Sequence, residues 1–172
     1  MVERARRGDR EAFAELVRLS HARLIAAIRA LVHDADAAED ISQDAFVDAW
    51  RQLPTLRRPE RFRAWLFGIA RHKALNHLRR ARREAPLPVP ESVQPANVGP
   101  ANEGVRKRLE QLGERDREVL AAKYLQELSY AEIAQALAIP VNAVRVRCCR
   151  ARQRLRELLS ESDSAVEGEA SA

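Results

Sequence analysis

Cysteine is scarce in this 172-residue sequence: Cys148 and Cys149 stand side by side, with no spaced cysteine or histidine partners. Neither a disulfide framework nor a zinc site can be built from such a pair, and no metal or cofactor is expected. Glycine is held to six residues and aromatics to 5%, with few of the β-branched runs that strands use. Ala, Leu, Arg and Glu dominate instead, which predicts an all-α fold. The sequence also lacks a secretory leader and any apolar run near the length of a membrane span. No membrane insertion and a cytoplasmic location are therefore expected. Lysine is the last shortage, at 3 residues against 27 arginines. That bias fits phosphate recognition and fits a GC-rich genome equally well. The net charge of +5 suits a polyanionic partner.

Residues 85–104, APLPVPESVQPANVGPANEG, hold five of the eight prolines and no lysine or arginine. Such a stretch cannot hold a helix and reads as a semi-rigid linker. It divides the chain into two small helical domains, residues 1–84 and 105–160, each with a modest core. Residues 161–172 are acidic and small, and are expected to form a disordered tail.

Apolar periodicity in the first domain predicts a helix from about Asp9 to Val32, with Phe13, Leu16, Val17, Leu24, Ile28 and Leu31 on one side. A second, from about Asp36 to Leu53, should bury Ile41, Ala45, Phe46, Ala49 and Trp50. A third, from near Pro59 to Arg83, should bury Phe62, Trp65, Leu66 and Ile69. Charge is segregated between the last two. Six acids and no base lie between Asp34 and Trp50, whereas ten bases and one acid lie between Arg57 and Arg83. Acids at a helix N-terminus partly compensate the dipole. Asp40, Asp44 and Asp48, however, repeat at i, i+4 and i+8, where like charges cost about 0.2–0.5 kcal/mol per pair. A basic protein partner is one reason to keep them, and no basic helix of the same domain is expected to face them. The basic third helix is the natural place for a nucleic-acid contact.

The second domain carries the most specific local pattern. Ser129 with Glu132 forms a capping box that starts a short helix. Ile139-Pro140 breaks it, and a second short helix starts at Pro140 or Val141. Val141, Val144, Cys148, Ala151 and Leu155 should form its buried stripe. Asn142, Arg145, Val146, Cys149 and Arg150 share the opposite face, with Arg147 and Arg154 on the flank. A small apolar helix supporting one with a polar, basic exposed start is a helix-turn-helix, whose second helix enters the DNA major groove. An amphipathic hairpin with a solvated arginine face is the plainer reading. The capping box, the turn and six arginines between Arg145 and Arg156 weigh towards DNA.

The segments DAAEDISQDAFVDAWRQL and RFRAWLFGIARHKALNHLRR, followed after the proline-rich linker by LSYAEIAQALAIPVNAVRVRCCRARQRLREL, resemble bacterial sigma factors. The likeness is to the small two-domain extracytoplasmic-function (ECF) group and covers about residues 8–160 in order. It implies a factor that binds core RNA polymerase, directs it to promoters and promotes DNA melting, without enzymatic activity of its own. Asp40, Gln43, Asp44, Asp48 and Arg51 would meet the clamp of the largest subunit. Arg57, Arg58, Arg61, His72, Lys73 and Asn76 would recognise and melt the minus-10 element, capturing a base flipped from the non-template strand. Asn142, Ala143, Arg145, Val146, Arg147, Cys149 and Arg150 would read the minus-35 element, in a domain that also touches the flap of the second-largest subunit. An anti-sigma factor is a further partner implied by the resemblance.

Three positions depart from the family pattern. His72 stands where many members have asparagine, which bears on base preference in the minus-10 pocket. Asn142-Ala143 replaces a common glycine-threonine pair, and Asn142 has the groups for bidentate contact with adenine. Leu112-Gly113 replaces a common Leu-Pro.

Two other classes compete. A helix-turn-helix activator of the response-regulator type should alternate strands and helices in its first domain, and residues 1–84 show no strand pattern. A DNA-processing enzyme needs a nucleophile or metal cluster. Three carboxylates along one helix stripe do not converge on one ion, and His72 and His77 lie off a common face.

Overall fold

The structure, a computed structural model, describes residues 1–84 and 108–169. The expected linker and the first residues of the second domain lie outside the described residues. Among those described, every regular element is a helix or helical turn.

A five-residue helix that periodicity does not reveal, α1 (Val2–Arg6), opens the chain. Gly8 at φ +90° allows the reversal into α2 (Arg10–Val32). Asp9 caps α2 by accepting from the Ala12 N–H at 2.9 Å. His33 ends it in the left-handed region, and Asp34 caps α3 (Ala35–Gln52) through the Ala37 N–H at 3.0 Å. Two 3₁₀ turns, Leu53–Thr55 and Pro59–Arg61, lead into α4 (Phe62–Glu84). The three long helices bury Leu16, Leu24, Ile28, Ile41, Ala45, Phe46, Ala49, Phe62 and Leu66 together, largely as the periodicity predicts. Trp50, Trp65 and Ile69 differ: they are half-buried at the edge of this core. Phe13 and Trp50 close that edge, with ring centroids 4.9 Å apart.

The second group begins with a helical segment at 108–111. Gly113 then precedes α5 (Glu114–Leu120), whose first turn carries Glu114 and Asp116 against the dipole. A π-helical turn, Ala121–Leu125, follows. The capping box forms as expected at α6 (Tyr130–Leu137): the Ser129 N–H donates to Glu132 Oε2 at 2.8 Å, and the Glu132 N–H donates to Ser129 Oγ at 3.3 Å. Ala138 at φ 52° ends α6, and α7 starts at Val141, directly after Pro140.

The helix α7 is described over Val141–Glu169. One expectation fails in it: the buried stripe starts one turn later. Val144, Cys148 and Ala151 are buried and Leu155 is half-buried, but Val141 is exposed.

The second group packs on α2 and α4 of the first. Ala27, Ala64 and Phe67 belong by sequence to the first domain and by packing to the core of Val119, Leu128, Ile133 and Val144.

Candidate protein and nucleic-acid interfaces

Asp40, Gln43, Asp44 and Arg51 are all exposed along α3, and Asp48 is half-buried beside them. One expectation is corrected here: the acids do face a base of their own domain. Lys73 on α4 places Nζ 2.7 Å from Asp48 and 3.7 Å from Asp44. The Lys73 hydrogen bond holds the Asp48 carboxyl below the usual carboxylate range. Separating the charge by helix hid this, because adjacent helices bring their rims together. Val47 lies among Gln43, Asp44 and Arg51 on the α3 surface and is 49% exposed. It borders an apolar groove lined by Arg10, Phe13, Phe46 and Trp50. Its spacing from Gln43 and Arg51, four residues each way, was the available signal that an apolar residue joins this face.

The six residues expected to contact and melt the minus-10 element do not share one cleft. Arg57, Arg58 and Arg61 line a cleft of about 480 Å³ with Leu56, Trp65, Gln135 and Ala136. Lys73 and Asn76 line another of about 510 Å³, between α3 and α4, with Asp40, Asp44, His77 and Arg80. His72 is exposed and lines neither. At 100° per residue His72 instead continues the stripe of Trp65 and Gly68, in line with Arg61, while Lys73 turns towards α3.

On α7, Asn142, Arg145, Val146, Cys149 and Arg150 are exposed together, and Ala143 and Arg147 are half-buried. A cleft of about 910 Å³ runs along Asn142, Ala143, Val146, Arg147 and Arg150 and is closed by the start of α5. The two cysteines part: the Cys148 thiol is buried, pushed up in pKa by that burial, and Cys149 faces outward with the arginines. Two contacts hold this helix in place. Arg154 pairs at 2.5 Å with Asp116, a buried carboxylate on α5, so this flanking arginine anchors the helix. The Arg145 guanidinium lies 5.9 Å from the Tyr130 ring centroid, with Lys123 4.9 Å from the same ring. Tyr130 was not singled out from the sequence. It is the first residue of α6, where only the folded turn brings it to Arg145.

An exposed acidic helix, a basic loop and helix, and a helix-turn-helix with a bare arginine face occur here in one helical chain. The chain is similar in sequence and fold to known proteins. The sigma-70 region 2 model matches residues 16–84, and the sigma-70 region 4 model matches residues 103–155. The chain is 34% identical to the RNA polymerase sigma-H factor of Pseudomonas aeruginosa, over 92% of each protein. It is 33% identical to the ECF sigma factor SigM of Mycobacterium tuberculosis, over 92% of this chain and 83% of that one. The ECF sigma-E factor of Escherichia coli is 30% identical over 89% of each. Among solved structures, the sigma factor RpoE in complex with the anti-sigma factor NepR from Bartonella quintana superposes with a TM-score of 0.76. It is 27% identical, and the match covers 87% of this chain and 98% of that one. CnrH in complex with the cytosolic domain of CnrY gives 0.72 at 31% identity, over 93% and 95%. This chain therefore belongs to the ECF group of RNA polymerase sigma factors.

Proposed function

We propose that this sigma factor divides its work between its two domains. Residues 1–84 bind core polymerase through Asp40, Gln43, Asp44, Asp48 and Arg51, and engage the minus-10 element through Arg57, Arg58, Arg61, His72, Lys73 and Asn76. Residues 105–160 read the minus-35 element through Asn142, Ala143, Arg145, Val146, Arg147, Cys149 and Arg150. The polymerase supplies the chemistry; this chain acts by binding, in the cytoplasm, and needs no metal or cofactor for it. The observation that carries the promoter reading is the outer face of α7, where five recognition residues are exposed above a buried backing of Val144, Cys148 and Ala151. RpoE of Bartonella was solved with the anti-sigma factor NepR, and CnrH with the cytosolic domain of CnrY. An anti-sigma factor is accordingly proposed here too.

Reversing Asp40 and Asp44 to lysine tests the polymerase contact. Co-purification with core polymerase should fall while the circular dichroism spectrum stays helical. Undiminished co-purification would move the contact off α3.

A further inference from the structure

The outer face of α7 has an apolar centre. At about 100° per residue, Val146 lies about 160–180° around the helix axis from Val144, Cys148 and Leu155, so it points straight away from the core that seats the helix. It is 50% exposed, whereas Val144, two residues before it, is fully buried. Its neighbours at i−4, i+3 and i+4 are Asn142, Cys149 and Arg150, all exposed. Asn142, Ala143, Arg147 and Arg150 line with it the cleft of about 910 Å³. Local preference does not explain a valine here. Its β-branch restricts it in a helix, and in the free chain its methyl groups gain no burial in return.

A valine side chain neither donates nor accepts a hydrogen bond, so it reads a base edge by apolar contact alone. In the major groove the apolar group on offer is the C5 methyl of thymine. The position fits such a contact. Val141 opens α7 and Val146 lies in its second turn, and the N-terminal part of a recognition helix lies over base edges. The surrounding charge fits as well. Arg145, Arg147 and Arg150 frame the valine and suit phosphates and guanine edges, which would hold it against the groove floor. A protein partner seated on Val146 would have to neutralise the same arginines, which a duplex does with its phosphates. We propose that Val146 reads the methyl group of a thymine in the minus-35 element. The inference rests on the sigma-factor reading and deepens it. Asn142, Arg145 and Arg150 have groups for the hydrogen-bond code, and Val146 adds one position chosen by a methyl. Cytosine at that position presents no methyl and leaves the valine without a partner.

Deoxyuridine provides the test, because it differs from thymidine by that methyl alone. Holoenzyme is assembled from core polymerase and the full-length chain, on a promoter taken from its mapped transcription starts. Each minus-35 thymine, on either strand, is replaced singly by deoxyuridine, and affinity is read by gel shift. At one thymine the wild type should lose about fourfold, the equivalent of one buried methyl-sized group. Val146→Ser removes both methyl groups of the side chain and should bind the thymine and deoxyuridine promoters alike, whereas Val146→Ile should keep the difference. Serine and valine have similar helix propensities and the site is exposed, so circular dichroism should be unchanged in both variants. Equal deoxyuridine losses in wild type and Val146→Ser would assign the methyl to another group and overturn the proposal. So would a minus-35 element in which no thymine methyl affects binding. Absence of any chain-dependent start site would instead count against the sigma-factor reading itself.

Discussion

Ser129 and Glu132 show how much of a site two residues can carry. The Ser129 side chain and the Glu132 carboxylate satisfy each other's backbone N–H, fixing the start of α6 and with it the angle at which α7 is presented. Ser129→Ala should cost about 1 kcal/mol of stability, read by denaturant unfolding. Burial pushes the Glu132 carboxyl up, but its hydrogen bonds from Ser129 prevail and hold it below its usual value. A carboxylate depressed in the folded state stabilises above its unfolded pKa, and that contribution is lost as pH falls through the folded one. Wild type should therefore lose more stability between neutral pH and about pH 3 than Glu132→Gln does. Equal acid sensitivity of the two would remove the linkage. The cap was legible in sequence because its partners are three residues apart. The pairing of Lys73 with Asp44 and Asp48 was not legible, because those acids lie on another helix at distances only the fold determines.

Among the elements, α7 is the one whose faces matter most. Val144, Cys148 and Ala151 seat it, Asp116 anchors it through Arg154, and Tyr130 lies against Arg145. If Arg145 makes a bidentate base contact, Arg145→Ala should cost about 1–3 kcal/mol at one promoter position and relax preference there. Arg147→Ala should weaken binding to all sequences alike and flatten the salt dependence. A promoter library separates the two, and unchanged minus-35 selectivity in Arg145→Ala would misplace the recognition face. The period of apolar residues gave the long helices and this exposed face. It could not give α1, too short to show a period. Phe67 was missed for a related reason. It lies off the stripe of Phe62 and Leu66, and is buried only because a second domain covers it.

At the scale of the whole molecule, sequence order made two domains legible but not their contact, which depends on pairs far apart in the chain such as Arg71 with Glu118. Burial raises the Glu118 carboxyl, with Arg71 partly offsetting it, so this pair costs more to ionise than the exposed Arg23–Glu127 pair. The proposed melting function also spans the molecule, joining the Arg57–Arg61 loop to His72 along one stripe of α4. His72→Ala should still allow closed complexes but reduce open complexes on duplex promoters. A template with a pre-opened mismatch bubble should largely rescue it, because the unstacking cost has already been met. Equal losses on both templates would assign His72 to general binding.

The most direct measurement is transcription in vitro with core polymerase and this chain on fragmented genomic DNA, with the 5′ ends of the transcripts mapped. Discrete start sites that depend on the added chain are expected, each preceded by the same two upstream elements. Transcripts no different from those of core polymerase alone would contradict the assignment, as would chain-dependent starts that share no upstream sequence.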